Sequence, residues 1–181
     1  LLFPGGVVVQ EKPWEHAAAV TRTAALMADR SVPTIFEAAF EHNGVRIRVD
    51  VLERRARGYW GMYEVKSSGG VKDHHYDDVA VQIYVLLGAG IRLSSAEVLH
   101  VNKDYVRGRK GISWPKFFSR VDVNTEAMRR LDGIETRLKK QRTCLSRRQA
   151  PAVEPEAHCH APFSCEHWDR CTQSKPADWV F

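Results

Sequence analysis

The fold of this chain is decided by two neighbouring stretches, Val45-Arg46-Ile47-Arg48-Val49-Asp50-Val51-Leu52 and Tyr59-Trp60-Gly61-Met62-Tyr63-Glu64-Val65-Lys66-Ser67-Ser68. The first stretch alternates apolar and polar residues, and a strand period of two places Arg46, Arg48 and Asp50 on one face. The same parity places Glu64 and Lys66 on one face of the second strand, beyond a polar connection at residues 53–58. If the two strands pair, Asp50, Glu64 and Lys66 converge.

This combination of side chains is typical of a site for a divalent cation. Two carboxylates suit Mg²⁺ or Mn²⁺, which prefer oxygen ligands and keep waters that a substrate phosphate can displace. A lysine one pleat along can orient a metal-bound water or stabilise charge on a phosphoryl oxygen. These groups therefore indicate phosphodiester hydrolysis. The alternative is a solvated strand face whose charges pair across the hairpin.

Three motifs carry a resemblance to a known family: Arg48-Val49-Asp50-Val51-Leu52, then Trp60-Gly61-Met62-Tyr63-Glu64-Val65-Lys66-Ser67-Ser68, then Asp77-Asp78-Val79-Ala80-Val81-Gln82-Ile83-Tyr84-Val85-Leu86. Together they resemble the core of the PD-(D/E)XK nucleases, in particular the RecB-like branch that includes the CRISPR-associated exonucleases. The resemblance implies that Asp50 and Glu64 ligate the metal together with the backbone carbonyl of Val65. It also implies that Lys66 is the catalytic lysine, and it matches Gln82 to a glutamine of the following helix.

The resemblance has one departure and one further implication. The RecB-like motif usually continues Gln-x-x-x-Tyr, whereas Leu86 stands at the tyrosine position here and the tyrosine is Tyr84. This departure calls into question the nucleic-acid contact that the family assigns to its tyrosine. In related enzymes a glutamate just upstream can join the metal shell, and we choose Glu37 over Glu41 for that role.

The helix after the hairpin is predicted from an apolar stripe over residues 73–87. On the adjoining face, His75, Asp78 and Gln82 follow one another at offsets of three and four. Side chains at these offsets lie above one another on a helix. We therefore expect this face to line up toward the hairpin site.

Periodicity also predicts the elements around this core. Helical spacing favours helices over residues 13–29 and 125–142, and strands are favoured over residues 32–41 and 96–102. This order favours an α/β fold with a mixed central sheet flanked by helices, which is also what a restriction-endonuclease-like PD-(D/E)XK core implies.

Length and composition favour one folded domain. The chain has 181 residues, of which 44% are hydrophobic, enough for a sizeable core. No apolar run is long enough to span a bilayer and no signal peptide is visible, so we expect a cytoplasmic protein without a membrane partner. The chain opens Leu1-Leu2-Phe3-Pro4 without an initiator Met, which favours a fragment lacking its N-terminus, with further domains in a longer parent protein.

The charge distribution favours a polyanionic partner. Formal net charge is +5, and basic residues crowd the hairpin and the stretch 129–148. Such groups bind nucleic acid by releasing its counterions. As candidate contacts we name five residues: Arg46, Arg48, Lys139, Lys140 and Arg142. The alternative is a solvated basic face.

Three cysteines near the C-terminus, Cys159, Cys165 and Cys171, follow at a spacing of six. Regularly spaced thiols in a Pro-containing segment are typical of metal ligands, and in a cytoplasmic chain disulfides are the weaker account. A zinc site would need a fourth ligand, for which His158, His160 or His167 is available. An iron–sulphur cluster would need four thiolates.

The resemblance favours iron over zinc. RecB-like iron–sulphur nucleases hold a [4Fe-4S] cluster with one cysteine before the nuclease core and three after it, which implies that Cys159, Cys165 and Cys171 are the three. The fourth ligand would then lie upstream of this chain, and Cys144 would be a bystander. We divide the chain into a nuclease core at residues 1–150 and a cysteine-rich segment at residues 151–181 packed on that core.

The sequence thus favours a metal-dependent DNA nuclease, exonuclease-like, acting on single strands or duplex ends. The alternative is a non-catalytic nucleic-acid-binding module with a structural or redox-sensing iron–sulphur or zinc site. The intact Asp50, Glu64 and Lys66 argue against that alternative.

Overall fold

The computed structural model describes residues 2–161, 163–176 and 179. In this part of the chain a single sheet contains six strands, and their order across the sheet follows their order along the chain. The strands are β1 (Val7–Val8), β2 (Thr34–His42), β3 (Val45–Arg54), β4 (Trp60–Lys66), β5 (Leu93–Val101) and β6 (Phe118–Asp122). The helices are α1 (His16–Ala28), α2 (Asp73–Gly88), α3 (Trp114–Phe117), α4 (Asn124–Arg129), α5 (Ile134–Leu145) and α6 (Trp168–Thr172).

The sheet is mixed, as predicted. Strands β1 and β2 run parallel, as do β4 and β5, while the pairs β2–β3, β3–β4 and β5–β6 are antiparallel. A parallel pair needs a crossover, and α2 supplies it between β4 and β5. The expected α/β architecture, a mixed central sheet flanked by helices, is confirmed.

Burial along β3 follows the predicted parity. Ile47, Val49 and Val51 are buried, whereas Arg46 is exposed and Asp50 only half-buried. The pattern arises because successive side chains of a strand point to opposite faces. This parity brings the carboxylate of Asp50 to the face opposite Ile47, Val49 and Val51.

Helix α2 covers the sheet with its apolar stripe. Val79, Ile83 and Leu86 are buried completely or almost completely. Leu87, which the predicted stripe included, is 45% exposed. The buried face of α2 is therefore narrower than the predicted apolar stripe, and Gln82 lies beside it.

The predicted helix over residues 125–142 is wrong as a single element. It is two helices, α4 and α5, separated by a turn in which Gly133 has φ +80°. Glycine adopts this left-handed conformation without the Cβ clash that other residues meet, so one helix ends before it and a new helix starts after it. Strand β6, which was not predicted, pairs with β5 just before α4.

The chain forms two compact units, residues 1–135 and 136–181. The first holds the whole sheet. The second holds most of α5, a short 3-10 helix at Ala157–Cys159, and α6. The boundary predicted at residue 150 stays a prediction. Within the described residues, no helix combines the length and the apolarity that crossing a membrane requires.

Candidate active site

The site forms where strands β3 and β4 separate. Their pairing runs from Arg54 opposite Trp60 to Val51 opposite Tyr63, and Asp50 and Glu64 come next on each strand. The backbone N–H of Val65 donates a 2.6 Å hydrogen bond to Oδ2 of Asp50. Asp50 thus bridges the two strands with its side chain at the point where the backbone ladder stops.

Glu64 is the most buried acid of the site, with 9% of its surface exposed. Lys66 Nζ lies 2.9 Å from its Oε1, and Gln82 donates from Nε2 to its Oε2 at 2.5 Å. Lys66 also donates to Oδ2 of Asp78 at 2.7 Å. The structure therefore confirms that Asp78 and Gln82 of α2 face the hairpin site. His75, the third residue predicted on that face, is buried, and its Nδ1 accepts the Lys72 N–H at 3.0 Å.

The carboxylates of this site repel one another. Burial, followed by the negative charges of Glu64 and Glu37, raises the pKa of Asp50 from 3.8 to about 6, although the Val65 N–H opposes the shift. The charged form of Asp50 is thus disfavoured by both desolvation and like charge. A positive charge placed among these acids would relieve that repulsion.

Lys66 stays charged despite its partial burial. Desolvation alone would lower its pKa, but hydrogen bonds to Asp78 and Glu64 outweigh it, so the pKa of Lys66 lies above 10.5. At neutral pH this side chain is an ammonium ion. It can therefore stabilise developing negative charge, but it has no free electron pair with which to accept a proton.

Glu37 joins the site through an irregularity in β2. Pairing of β2 with β3 holds at Phe36 opposite Val51 and at Ala38 opposite Val49, and between these pairs Glu37 faces Asp50 outside the ladder. Its φ is +56°, a conformation that costs a non-glycine residue about 1–3 kcal/mol. The strand is strained at the position where it contributes an acid.

A buried polar atom at the site lacks a partner. Oε1 of Gln82 accepts no hydrogen bond from the described residues, while the Nε2 of the same amide is used by Glu64. The oxygens that could hold a cation belong to Asp50, Glu64, Glu37 and the Val65 carbonyl. Among the described residues, no three His, Cys, Asp or Glu side chains are already arranged as a metal-binding group.

A cavity of about 550 Å³ opens beside Asp50. We call it the aromatic cavity; it is lined by Leu2, Phe3, Val8, Phe36, Glu37, Asp50, Val51, Val65, Leu99 and Phe118. Its three phenylalanines pack on a buried core of Val51, Tyr63 and Leu99. Sequence reasoning missed this cavity, because its lining comes from segments far apart in the chain that no local pattern connects.

Tyr84 of α2 bonds residues outside the proposed metal site. Asn43, in the turn between β2 and β3, donates to the Tyr84 hydroxyl at 2.9 Å, and that hydroxyl lies 3.2 Å from Oε1 of Glu135. Leu86, at the family's tyrosine position, is completely buried. His16 is also buried, with Nε2 3.2 Å from the Phe40 carbonyl oxygen.

The predicted nucleic-acid contacts occupy different environments. Arg46 is exposed and bonds Glu41 at 3.0 Å, whereas Arg48 donates to the Glu11 carbonyl at 2.9 Å. Arg48 therefore has a structural use in tying the segment before α1 to β3. In the second unit, three of the predicted contacts are exposed on α5: Lys139, Lys140 and Arg142.

The cysteines of the second unit are free thiols in the described residues. Cys159 is buried in the 3-10 helix, and its carbonyl accepts the Cys165 N–H at 2.8 Å. The Sγ of Cys165 accepts the His167 N–H at 3.4 Å, and Cys171 lies half-buried on α6. Cys144 lies apart in sequence on α5.

Comparisons with known proteins assign no family to this chain. No family model matches the chain, and no curated protein matches it. Among solved structures, the crystal structure of SSO0001 is similar, with 11% sequence identity and a TM-score of 0.32. The alignment covers 75% of this chain and 61% of that chain, so this chain spans less than two thirds of its length. At this TM-score the likeness carries no argument about fold or activity.

Proposed function

We propose that this chain is a metal-dependent DNA nuclease of the PD-(D/E)XK type, exonuclease-like on single strands or duplex ends. The observation that carries the proposal is the meeting of Asp50, Glu64 and Lys66 where β3 and β4 separate, with Gln82 bonded to Glu64. Four residue types that the RecB-like motif requires come together from two strands and a helix. The alternative, a solvated strand face, would leave Glu64 exposed, whereas Glu64 is buried and accepts a hydrogen bond from Gln82.

The donor set fits Mg²⁺ or Mn²⁺. Asp50, Glu64 and the Val65 carbonyl would hold the ion, with Glu37 as a further candidate, and all four supply the hard oxygens that these ions prefer. The raised pKa of Asp50 supports the fit, because burial and the charges of Glu64 and Glu37 all disfavour its ionised form, which a bound cation would stabilise. When bound, the ion would activate a water and neutralise charge at the phosphate.

Lys66 would act as an electrostatic group. Its ammonium is held in place by Glu64 and Asp78, at 2.9 and 2.7 Å. A cation fixed before the reaction can stabilise the charge that develops on a phosphoryl oxygen without reorganising. Gln82 positions Glu64 from the other side, so that both carboxylate oxygens have defined neighbours.

For the second unit we propose that Cys159, Cys165 and Cys171 hold a [4Fe-4S] cluster, with zinc as the second choice. The regular spacing of the three thiols within one short segment supports this proposal. Three thiols leave one ligand to come from elsewhere. A broad visible absorption band in anaerobically purified protein would indicate iron–sulphur, and a colourless protein with stoichiometric zinc would indicate the second choice.

The experiment is cleavage of end-labelled DNA in Mg²⁺, Mn²⁺ or EDTA, with binding followed by fluorescence anisotropy. We expect metal-dependent cleavage that is lost in Asp50→Ala and Glu64→Ala, while affinity for DNA in EDTA changes little. Asp104→Ala, in an exposed loop, is the matched control. Cleavage that persists in both site variants would refute the assignment, and DNA binding without cleavage in any metal would favour the non-catalytic module.

A further inference from the structure

The aromatic cavity shares three residues with the proposed metal site. Asp50, Glu37 and Val65, whose carbonyl is a proposed ligand, all line it. Val65 is 39% exposed although it lies in a central strand. Glu64 and Lys66 point to the face of β4 opposite Val65, so the cavity meets the proposed metal site only at Asp50, Glu37 and Val65, where β3 and β4 separate. A molecule whose phosphate lies at Asp50 would therefore have its neighbouring group beside an open apolar space.

The shape and lining of this cavity suit a flat aromatic group. Its volume of about 550 Å³ is within the usual range for small-molecule sites. The rings of Phe3 and Phe36 meet edge to face, with centroids 6.2 Å apart, and Phe118 completes the aromatic part of the wall. Nucleic-acid bases stack on such side chains regardless of sequence.

A positive charge lies at the same face of the sheet. The guanidinium of Arg120 on β6 is 5.6 Å from the Phe3 ring centroid and 5.3 Å from that of Tyr63. Arg120 is exposed, so it can meet a phosphate of the strand that continues past the cavity. Two acids and three phenylalanines thus line one cavity, and Arg120 lies beside one of those phenylalanines, Phe3.

We infer that the aromatic cavity receives an unpaired base of single-stranded DNA when the adjoining phosphate lies at Asp50, where β3 and β4 separate. This inference deepens the proposed function and rests on it. A base within a duplex is stacked and paired, and must leave both arrangements to enter such a pocket. Single-stranded DNA is therefore the substrate class that this site selects.

The test compares DNA strands that differ by one base. Each strand carries an abasic tetrahydrofuran unit at the 5′ end, at the 3′ end or at an internal position. For the wild-type protein, kcat/KM should fall about 5- to 150-fold when the abasic unit occupies the nucleotide beside the cleaved bond, as expected from loss of one stacked base. A fully paired blunt duplex should be cut more slowly than the intact single strand.

The variant Val65→Phe fills the cavity from an exposed position without removing the backbone N–H or carbonyl of the site. It should lower kcat/KM on the intact strand to nearly the value seen with the abasic strand, and it should add little further loss on the abasic strand. Leu87→Phe, at an exposed position on α2, is the matched control and should behave as wild type.

The outcomes separate the two proposals. If the wild type cleaves intact and abasic strands equally at every position, the base pocket is refuted and the nuclease proposal stands. If no strand is cleaved in either metal, the nuclease proposal fails, and the pocket is judged on anisotropy in EDTA. Equal Kd values for intact and abasic strands would then refute the pocket as well. The substrate series needs no variant, so its result does not depend on how Val65→Phe folds.

Discussion

Ionised Asp50 is disfavoured first by its burial and then by the two acids near it. Its pKa is raised from 3.8 to about 6 by burial and by the charges of Glu64 and Glu37. The folded chain therefore binds a proton at Asp50 more strongly than the unfolded chain does. The resulting stabilisation is fully present below about pH 4 and is lost as the pH rises through about 6.

The variant Asp50→Asn should remove this pH dependence. Without added metal it should be more stable than wild type at about pH 8, by about 1–2 kcal/mol after allowance for the partial exposure of Asp50, or roughly 2–8 °C in Tm. Thermal unfolding from about pH 4 to about pH 8 measures the difference, with Asp104→Asn as control. Mg²⁺ or Mn²⁺ should raise the Tm of wild type and leave the variant unchanged. A variant that is less stable than wild type at high pH would contradict the argument.

A substitution at Lys66 distinguishes an effect on the cleavage rate from an effect on metal binding. Lys66→Met should lower the rate of cleavage about 10²–10³-fold, the usual effect of losing one electrostatic group of a transition state. Metal-dependent stabilisation should persist, because a lysine ammonium is not a ligand. Asp78→Asn keeps the ammonium and should lose far less activity. Loss of metal stabilisation in Lys66→Met would instead assign the lysine a structural role in holding Glu64.

At the scale of elements, strand β2 combines regular pairing with one strained residue. The ladder with β3 continues on both sides of Glu37, so the positive φ of that residue is imposed by its neighbours. Strain of this kind persists only where the surrounding structure over-determines it, and such residues concentrate at functional sites. The conformation and the carboxylate of Glu37 can be examined separately.

Two substitutions at Glu37 make that separation. Glu37→Ala and Glu37→Gly both delete the carboxylate, but only glycine accepts a φ of +56° without strain. We expect the glycine variant to be about 1 kcal/mol more stable than the alanine variant. Chemical denaturation measures this difference, and cleavage should fall equally in both if Glu37 acts as a metal ligand. A more stable alanine variant would mean that the strand relaxes once the acid is removed.

The sequence predicted most elements because their patterns are local. Alternation over residues 45–52 required only a strand period, and the offsets among Asp78 and Gln82 required only a helix. The break at Gly133 was missed because the apolar spacing continues across it. The φ of Glu37 and the meeting of Phe3 with Phe118 depend on contacts between distant segments, which no local pattern contains.

At the scale of the whole molecule, the proposed metal site and the proposed cluster site belong to different units. Residues 1–135 hold the carboxylate site and residues 136–181 hold all four cysteines. Hydrolysis needs no thiolate, so the cysteines should affect stability before they affect catalysis. Metal binding contributes to folding, because the unfolded chain does not hold the ligands together.

The cysteine variants test this division. Cys159→Ser, Cys165→Ser and Cys171→Ser should each lower iron content and Tm in anaerobically purified protein, and activity should fall only as far as the folded fraction does. Cys144→Ser is the matched control and should change little. If Cys144→Ser is as damaging as the others, the fourth ligand lies within this chain.

The exposed basic residues of α5 should contribute to affinity and not to sequence preference. Reversing Lys139, Lys140 and Arg142 to Glu should weaken DNA binding on all sequences alike and flatten its dependence on salt. Anisotropy titrations over a range of salt concentrations measure the slope, with Arg22→Glu on α1 as a single exposed control. An affinity that does not change with salt would show that these residues form only a solvated face.

The hydrogen bond from the Val65 amide to Asp50 has a consequence for isotope exchange. This amide is held by a side chain at the end of a backbone ladder, so deuterium enters whenever the carboxylate moves, without unfolding of the sheet. Protonation of Asp50 or arrival of a cation changes that movement, and the uptake rate at Val65 changes with it. Deuterium uptake at this one amide, followed by mass spectrometry or NMR, would thus report protonation of Asp50 or cation binding before any substrate is known.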